Sequence, residues 1–270
     1  MKRFESPNEL ELRELRSLAE TIAAAAGRFL LDGMRTARTD VGSKSTATDM
    51  VSEMDRGSEQ LIVEMIGTFR PNDALIGEEG ATRNGTSGYT WVIDPLDGTT
   101  SYLYQYPLWC VSLGVTYDGI AVVGAVNAPQ TDMMFSAHSN GGATNNGEPI
   151  HVGACSNLGL ALIATGFGYD PLVRERQGAI AHALLPRIRD LRRGGSAAID
   201  LCFAGAGFVD GYYERGLNPW DAAAGTCIAR EAGAVVSGLH TQEPDKDMTI
   251  AANPFVHHEL RTILQGFPPH

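Results

Sequence analysis

Two hydrophobic periods divide this 270-residue chain. From Asn8 to Met34 apolar positions return every three or four residues. Leu15, Leu18, Ile22, Ala25, Phe29 and Leu30 thereby fall on one face, which predicts an amphipathic helix. A stretch rich in Gly, Ser and Thr, Thr39 to Thr48, reads as a loop, and a second amphipathic helix is expected from about Ser52 to Phe69. From Ala74 to Ala137 the pattern changes to strands: Ala74 to Gly77, Thr90 to Ile93, Cys110 to Thr116 and Ile120 to Val126. Tyr117-Asp118-Gly119 joins the last two as a tight hairpin, and Asn146-Gly147 marks a further turn.

The second half alternates strand and helix. Strands are expected at Leu160 to Ala164, Val209 to Tyr213 and Met248 to Ala252. Helices are expected at Leu172 to Leu185, Ser196 to Gly205 and Trp220 to Ala232, with a closing helix from about Pro254. No repeat or low-complexity linker interrupts the chain. A mixed first half (1–145) and an alternating second half (146–270) predict two layered α/β sub-domains that share a cleft.

Composition narrows the partners. With 21 basic against 32 acidic residues the formal charge is −11, which disfavours nucleic acid and anionic membrane, whose binding rests on Lys and Arg. A phosphorylated substrate would also be repelled unless bound metal reverses the local sign. Cys110, Cys155, Cys202 and Cys227 show no close spacing and sit among apolar or small neighbours, so buried free thiols are expected. The N-terminal residues carry no apolar signal core and no run reaches membrane length, so a cytoplasmic protein is expected, with no membrane partner.

Candidate chemistry gathers in three acidic segments: Gly77-Glu78-Glu79, Asp94-Pro95-Leu96-Asp97-Gly98-Thr99-Thr100 and Trp220-Asp221. Asp97-Gly98 as a turn, or Asp97 as a helix cap, accounts for one aspartate and not for two, nor for the acids elsewhere. Carboxylates that converge need a cation, and oxygen donors without His or Cys favour Mg²⁺. Pro95 stiffens the backbone between the aspartates, and the Leu96 carbonyl is a candidate further ligand. Gly98-Thr99-Thr100 offers backbone N–H groups at a helix start, suited to phosphate. A phospho-aspartate phosphatase needs its nucleophile two residues before the second aspartate; here that position is Pro95, which argues against that class.

These motifs, Glu78-Glu79, Asp94-Pro95-Leu96-Asp97-Gly98-Thr99 and Trp220-Asp221-Ala222-Ala223-Ala224-Gly225, resemble in order and spacing the signature of the Mg²⁺-dependent, lithium-sensitive inositol monophosphatase family. The resemblance runs from about Lys44 to Ala252; Ser101-Tyr102 departs from the family's usual Asn-Phe. It implies a five-layer αβαβα sandwich of mixed α/β class, commonly a homodimer, with two or three Mg²⁺ per active site. Glu78, Asp94, Asp97, Asp221 and the Leu96 carbonyl resemble the metal ligands, with Glu79 a carboxylate behind them. Gly98 and Thr99 correspond to the phosphate-binding amides. Asp55 matches the acid paired with Thr99, and with Glu78 these form the catalytic set; unaided, Asp55 reads as a solvated helix residue. Lys44, with Ser45, matches a mobile loop over the site. Asp97, Gly195, Ser196, Ala197, Glu214 and Asp221 match substrate contacts, Glu214 standing seven residues ahead of Asp221.

The implied activity is hydrolysis of inositol 1-phosphate or a similar polyol phosphate by in-line attack of metal-activated water. Histidinol phosphate and fructose 1,6-bisphosphate are alternatives on the same site, a nucleotide 3′-phosphate a weaker one. A protein-binding, transcription-associated role is a reading of another class; Arg187, Arg189, Arg192 and Arg193 would serve it, although Asp190 interrupts them. His257, His258 and His270 are expected at the surface, and Trp220 as packing that fixes Asp221.

Overall fold

In the computed structural model, which describes the backbone of residues 7–39 and 47–267, the first helical period runs as α1 (Glu9–Thr39) and the second as α2 (Ala47–Phe69). Next come β1 (Ala74–Gly77), β2 (Thr82–Arg83), β3 (Tyr89–Asp97), the short helix α3 (Thr99–Tyr104), β4 (Cys110–Tyr117), β5 (Ile120–Ala128), β6 (Met133–His138), β7 (Ala143–Asn145) and β8 (Glu148–Pro149). They form one eight-stranded sheet in the order β2-β1-β3-β4-β5-β6-β7-β8, antiparallel except where β1 and β3 run parallel. The expected tight turns are present: Asp118 and Gly119 (φ 50° and 83°) and Asn146 and Gly147 (φ 51° and 83°) take the left-handed conformations that such hairpins require.

The second half contributes β9 (Leu162–Thr165), α4 (Pro171–Leu184), β10 (Asp190–Arg192), α5 (Ala197–Gly205), β11 (Gly211–Glu214), α6 (Pro219–Glu231), β12 (Val235–Ser237), β13 (Thr249–Ala252) and α7 (Pro254–Leu264). Its five-stranded sheet has the order β10-β9-β11-β13-β12, with β9 parallel to both β10 and β11.

Side-chain packing makes the five layers. Leu15, Ile22 and Leu30 of α1 and Ile62 and Ile66 of α2 close over Trp91, Ile93 and Leu113 on one face of the first sheet. Its other face, Val126, Phe135 and Ala137, meets Ile199 and Cys202 of α5 and Cys227 and Ile228 of α6. The same two helices cover one face of the second sheet, with Leu201 and Ala229 against Tyr212 and Ala251. Ile180 and Leu184 of α4 and Val256 and Leu260 of α7 seal its far face. The middle helices are rich in small and apolar residues because they are sheet-covered on both sides.

Small residues set the spacing of that layer. A Cβ on Gly114 would stand 2.7 Å from Ala223 Cβ, and one on Gly124 would stand 2.4 Å from the Ala224 carbonyl oxygen. Glycines on β4 and β5 therefore let α6 approach the sheet closely.

Two expectations are corrected. His257 is buried, because it shares the inward face of α7 with Val256, Leu260 and Leu264; its Nε2 lies 2.9 Å from Ser237 Oγ. His258 is exposed, and His270 lies outside the described residues. Cys110, Cys202 and Cys227 are buried free thiols, whereas Cys155 is half-exposed. It packs, partly buried, against the core on the far side of the second sheet.

Candidate active site

The strand β3 runs past the apolar stretch to Asp97 by way of a bulge. Asp94 pairs with Ser112 and Asp97 with Cys110, so Pro95 and Leu96 together oppose Val111 alone. Three details hold this kink. The Leu96 N–H donates to Asp94 Oδ1 at 3.1 Å, Ser58 Oγ donates to the Pro95 carbonyl at 3.0 Å, and the Thr99 hydroxyl donates to the Leu96 carbonyl at 3.2 Å. Gly98 then turns the chain at φ 90°, where a Cβ would press on the Leu108 carbonyl at 3.0 Å. The first amides of α3 have no partner within that helix. Parallel pairing of Gly77 with Ile93 puts Glu78 beside Asp94, and the Glu78 N–H donates to the Ile93 carbonyl at 3.1 Å.

Two helices of the middle layer point their N-termini at this bulge. Ser196 caps α5, and Asp97 Oδ2 accepts from Ser196 Oγ at 2.6 Å and from the Ala198 N–H at 2.8 Å. Asp221 lies in the first turn of α6, where its Oδ2 accepts from the Asn218 N–H at 2.7 Å in a capping box with Pro219 at the helix start.

Burial and mutual repulsion push these acids toward the neutral form. Asp94, 1% exposed, is raised well above the carboxylate range, first by loss of hydration and then by Asp97, Glu78 and Asp221. Asp97 is pushed up to about 7 by burial against the pull of its Ser196 and Ala198 donors. Glu78 opens to solvent at the rim, yet the enclosing wall and Asp221 raise it while a hydrogen bond with Asp94 lowers it. Asp221 is raised by loss of hydration. Asp55 is pushed up to about 8 by burial and then by Glu79 and Glu78, and its buried Oδ1 has no hydrogen-bond partner.

All these walls enclose one cleft of about 400 Å³. It gathers Glu78, Asp94, Leu96, Asp97, Gly98 and Thr99 from the first half with Gly195, Ser196, Ala197, Glu214 and Asp221 from the second. Asp55 and Glu79 do not line it, Asp55 being buried and Glu79 exposed, and the Thr99 hydroxyl is engaged by Leu96 rather than by Asp55. Lys44 and Ser45 lie outside the described residues. At the far end Glu214 closes against Gly166, where a Cβ would collide with its carboxylate at 2.0 Å. It accepts from Tyr212 Oη at 2.7 Å and is pushed up to about 7 by burial.

Sequence reading missed several residues here. Phe167, Tyr169, Arg193 and Asp200 line the same cleft, and the Tyr169 hydroxyl lies 3.3 Å from Thr100 Oγ1 across its mouth. Glu59 holds the glutamate loop by accepting from the Glu79 and Ala81 N–H groups at 3.1 and 3.0 Å. Asp200 had a usable signal: an acid on a helix that is otherwise apolar all round.

The donor set suits a hard divalent cation. One end of the cleft offers the carboxylates of Glu78, Asp94, Asp97 and Asp221, no His or Cys lines it, and around Asp94 the acids raise one another. Among the described residues no three His, Cys, Asp or Glu side chains form a closed ligand cluster.

The sequence profile of the inositol monophosphatase family matches residues 11–265. A Mycobacterium tuberculosis protein named inositol-1-monophosphatase SuhB is 39% identical over 277 residues, covering 95% of this chain and 95% of its own. A Vibrio cholerae protein named Nus factor SuhB is 37% identical, covering 82% and 84%. The solved structure of inositol monophosphatase from Anabaena superposes with a TM-score of 0.82 at 34% identity, covering 96% of this chain and 98% of that one. The layered fold, the acidic cleft and these matches make the chain a member of the inositol monophosphatase family, whose enzymes are phosphoric monoester hydrolases.

Proposed function

We propose that this protein is a Mg²⁺-dependent phosphomonoesterase acting on inositol 1-phosphate or a similar polyol phosphate. The observation that carries the reading is the single cleft that unites Glu78, Asp94, Asp97 and Asp221 at one end with Glu214 at the other. Asp94, Asp97, Glu78, Asp221 and the Leu96 carbonyl would hold the metal. Magnesium bound there would supply a water of lowered pKa and charge stabilisation for the phosphoryl oxygens.

The chain's own groups do the remaining work. The N–H groups of Gly98 and Thr99 hold phosphate oxygens at the start of α3. The Thr99 hydroxyl orients the attacking water and the Glu78 carboxylate takes its proton, with Asp55 the acid behind them. Glu214 and the Gly195-Ser196-Ala197 segment receive the hydroxyls of the leaving group.

Phosphate release with Mg²⁺ on inositol 1-phosphate, histidinol phosphate, fructose 1,6-bisphosphate and 3′-phosphoadenosine 5′-phosphate tests the assignment. Inositol 1-phosphate is expected to lead, with inhibition by lithium. Silence on every substrate sinks the enzymatic reading. The name of the Vibrio relative favours a second reading, a transcription-associated binding factor. The arginine cluster gives it little: Arg192 is paired with Asp190 at 2.6 Å and Arg193 faces the cleft. No helix among the described residues is long and apolar enough to cross a membrane. We expect a homodimer, which light scattering would test.

A further inference from the structure

Arg193 lines the cleft immediately before the Gly194-Gly195 turn. Its neighbour Arg192 is held by Asp190, but Arg193 makes no hydrogen bond and no ion pair among the described residues. Two carboxyls, Glu214 and Asp200, lie within its electrostatic reach. Each is already engaged: Glu214 by the Tyr212 hydroxyl, Asp200 by the Gly194 N–H. The guanidinium is therefore left with its donors free, in the part of the cleft where the leaving group would lie.

The backbone reserves this place. Gly195 has φ 101°, and a Cβ on it would stand 2.6 Å from Arg193 Nη1 and 3.0 Å from Ser101 Oγ. Any other residue at 195 would be strained and would push the guanidinium aside.

We infer that Arg193 is a specificity-determining residue that donates to hydroxyl oxygens of an uncharged leaving group and turns away a cationic one. The inference rests on the phosphatase reading above. A guanidinium only donates, and an ionised carboxylate only accepts. A hydroxyl both donates and accepts, so a ring carrying several can satisfy Arg193 and Glu214 together. An ammonium group could satisfy Glu214 alone and would meet the fixed charge of Arg193. A second phosphate would gain the guanidinium of Arg193 while facing Glu214, Asp200 and Asp170, three acids against the two arginines, Arg193 and Arg215, that line the cleft. The charge balance therefore favours neutral polyol esters.

The test is steady-state hydrolysis by Arg193→Gln and Arg193→Lys, with Mg²⁺, of inositol 1-phosphate, histidinol phosphate and p-nitrophenyl phosphate. Loss of a charged donor is expected to raise KM for inositol 1-phosphate about tenfold in Arg193→Gln with little change in kcat. Activity on histidinol phosphate should hold or rise in that variant, and the aryl phosphate should be unaffected. Arg193→Lys keeps the charge and should go on disfavouring histidinol phosphate. An unchanged KM for inositol 1-phosphate, or equal losses on all substrates, overturns the role of Arg193. Wild-type enzyme that leaves all three substrates intact overturns the phosphatase reading as well, and the wild-type rates separate the two failures.

Discussion

Asp94 and Asp97 lie three residues apart on one strand yet face the same cleft. In an unbroken strand an odd separation places side chains on opposite faces of the sheet. The extra residue at Pro95-Leu96 resets the alternation, so the second aspartate returns to the side of the first. The bulge thus concentrates negative charge where a cation can be held.

Asp94→Asn and Asp221→Asn each remove a proposed ligand without emptying core volume. Phosphate release should fall by more than about 100-fold, beyond the usual cost of losing a group behind the ligands. The metal-free melting temperature should hold or rise, since one repelling charge is gone. Turnover near wild type at saturating Mg²⁺ would refute the ligand assignment.

Mg²⁺ should stabilise the folded protein against heat. At a hundredfold excess over its dissociation constant the gain is about 2.7 kcal/mol for one site. Scanning calorimetry with and without chelator measures it. A shift that survives in the Asp94→Asn/Asp97→Asn double variant would place the cation elsewhere.

Gly124→Ala should be costly although it adds one methyl group. That carbon would stand 2.4 Å from the Ala224 carbonyl, so α6 must move and carry Asp221 with it. A loss of about 1–3 kcal/mol is expected, measurable by denaturant unfolding, together with reduced turnover. Unchanged stability would mean that α6 does not depend on this close approach.

His257 should make stability sensitive to acid. Burial, then the nearby charges of Arg261 and His258, lower its pKa from 6.5 to about 4. The native state therefore prefers the neutral ring, while the unfolded chain takes up a proton below about 6.5. Its contribution is complete above that pH and is lost as pH falls toward about 4. The stability gap between wild type and His257→Gln should narrow across that window; a constant gap in thermal melts would exclude the assignment.

Much of the architecture was legible in the chain because its signals are local. The helical period of α1 and the Asp-Gly and Asn-Gly turns depend on residues close in sequence. The short strands β2, β10 and β12, at two or three residues each, carry no period long enough to read. His257 looked like a surface residue because its partner, Ser237, is twenty positions away in sequence.

The amino-acid sequence by itself determined which acids are available, their order and the kinked motif that joins two of them, since these are covalent facts. Tertiary structure alone decided that Glu214, Arg193 and Asp200 share a cleft with them, that glycines on β4 and β5 admit α6, and that the Thr99 hydroxyl meets Leu96 rather than Asp55. Those relations depend on how two sheets and the helices between them pack, and the contacts that set that packing join residues far apart in the chain.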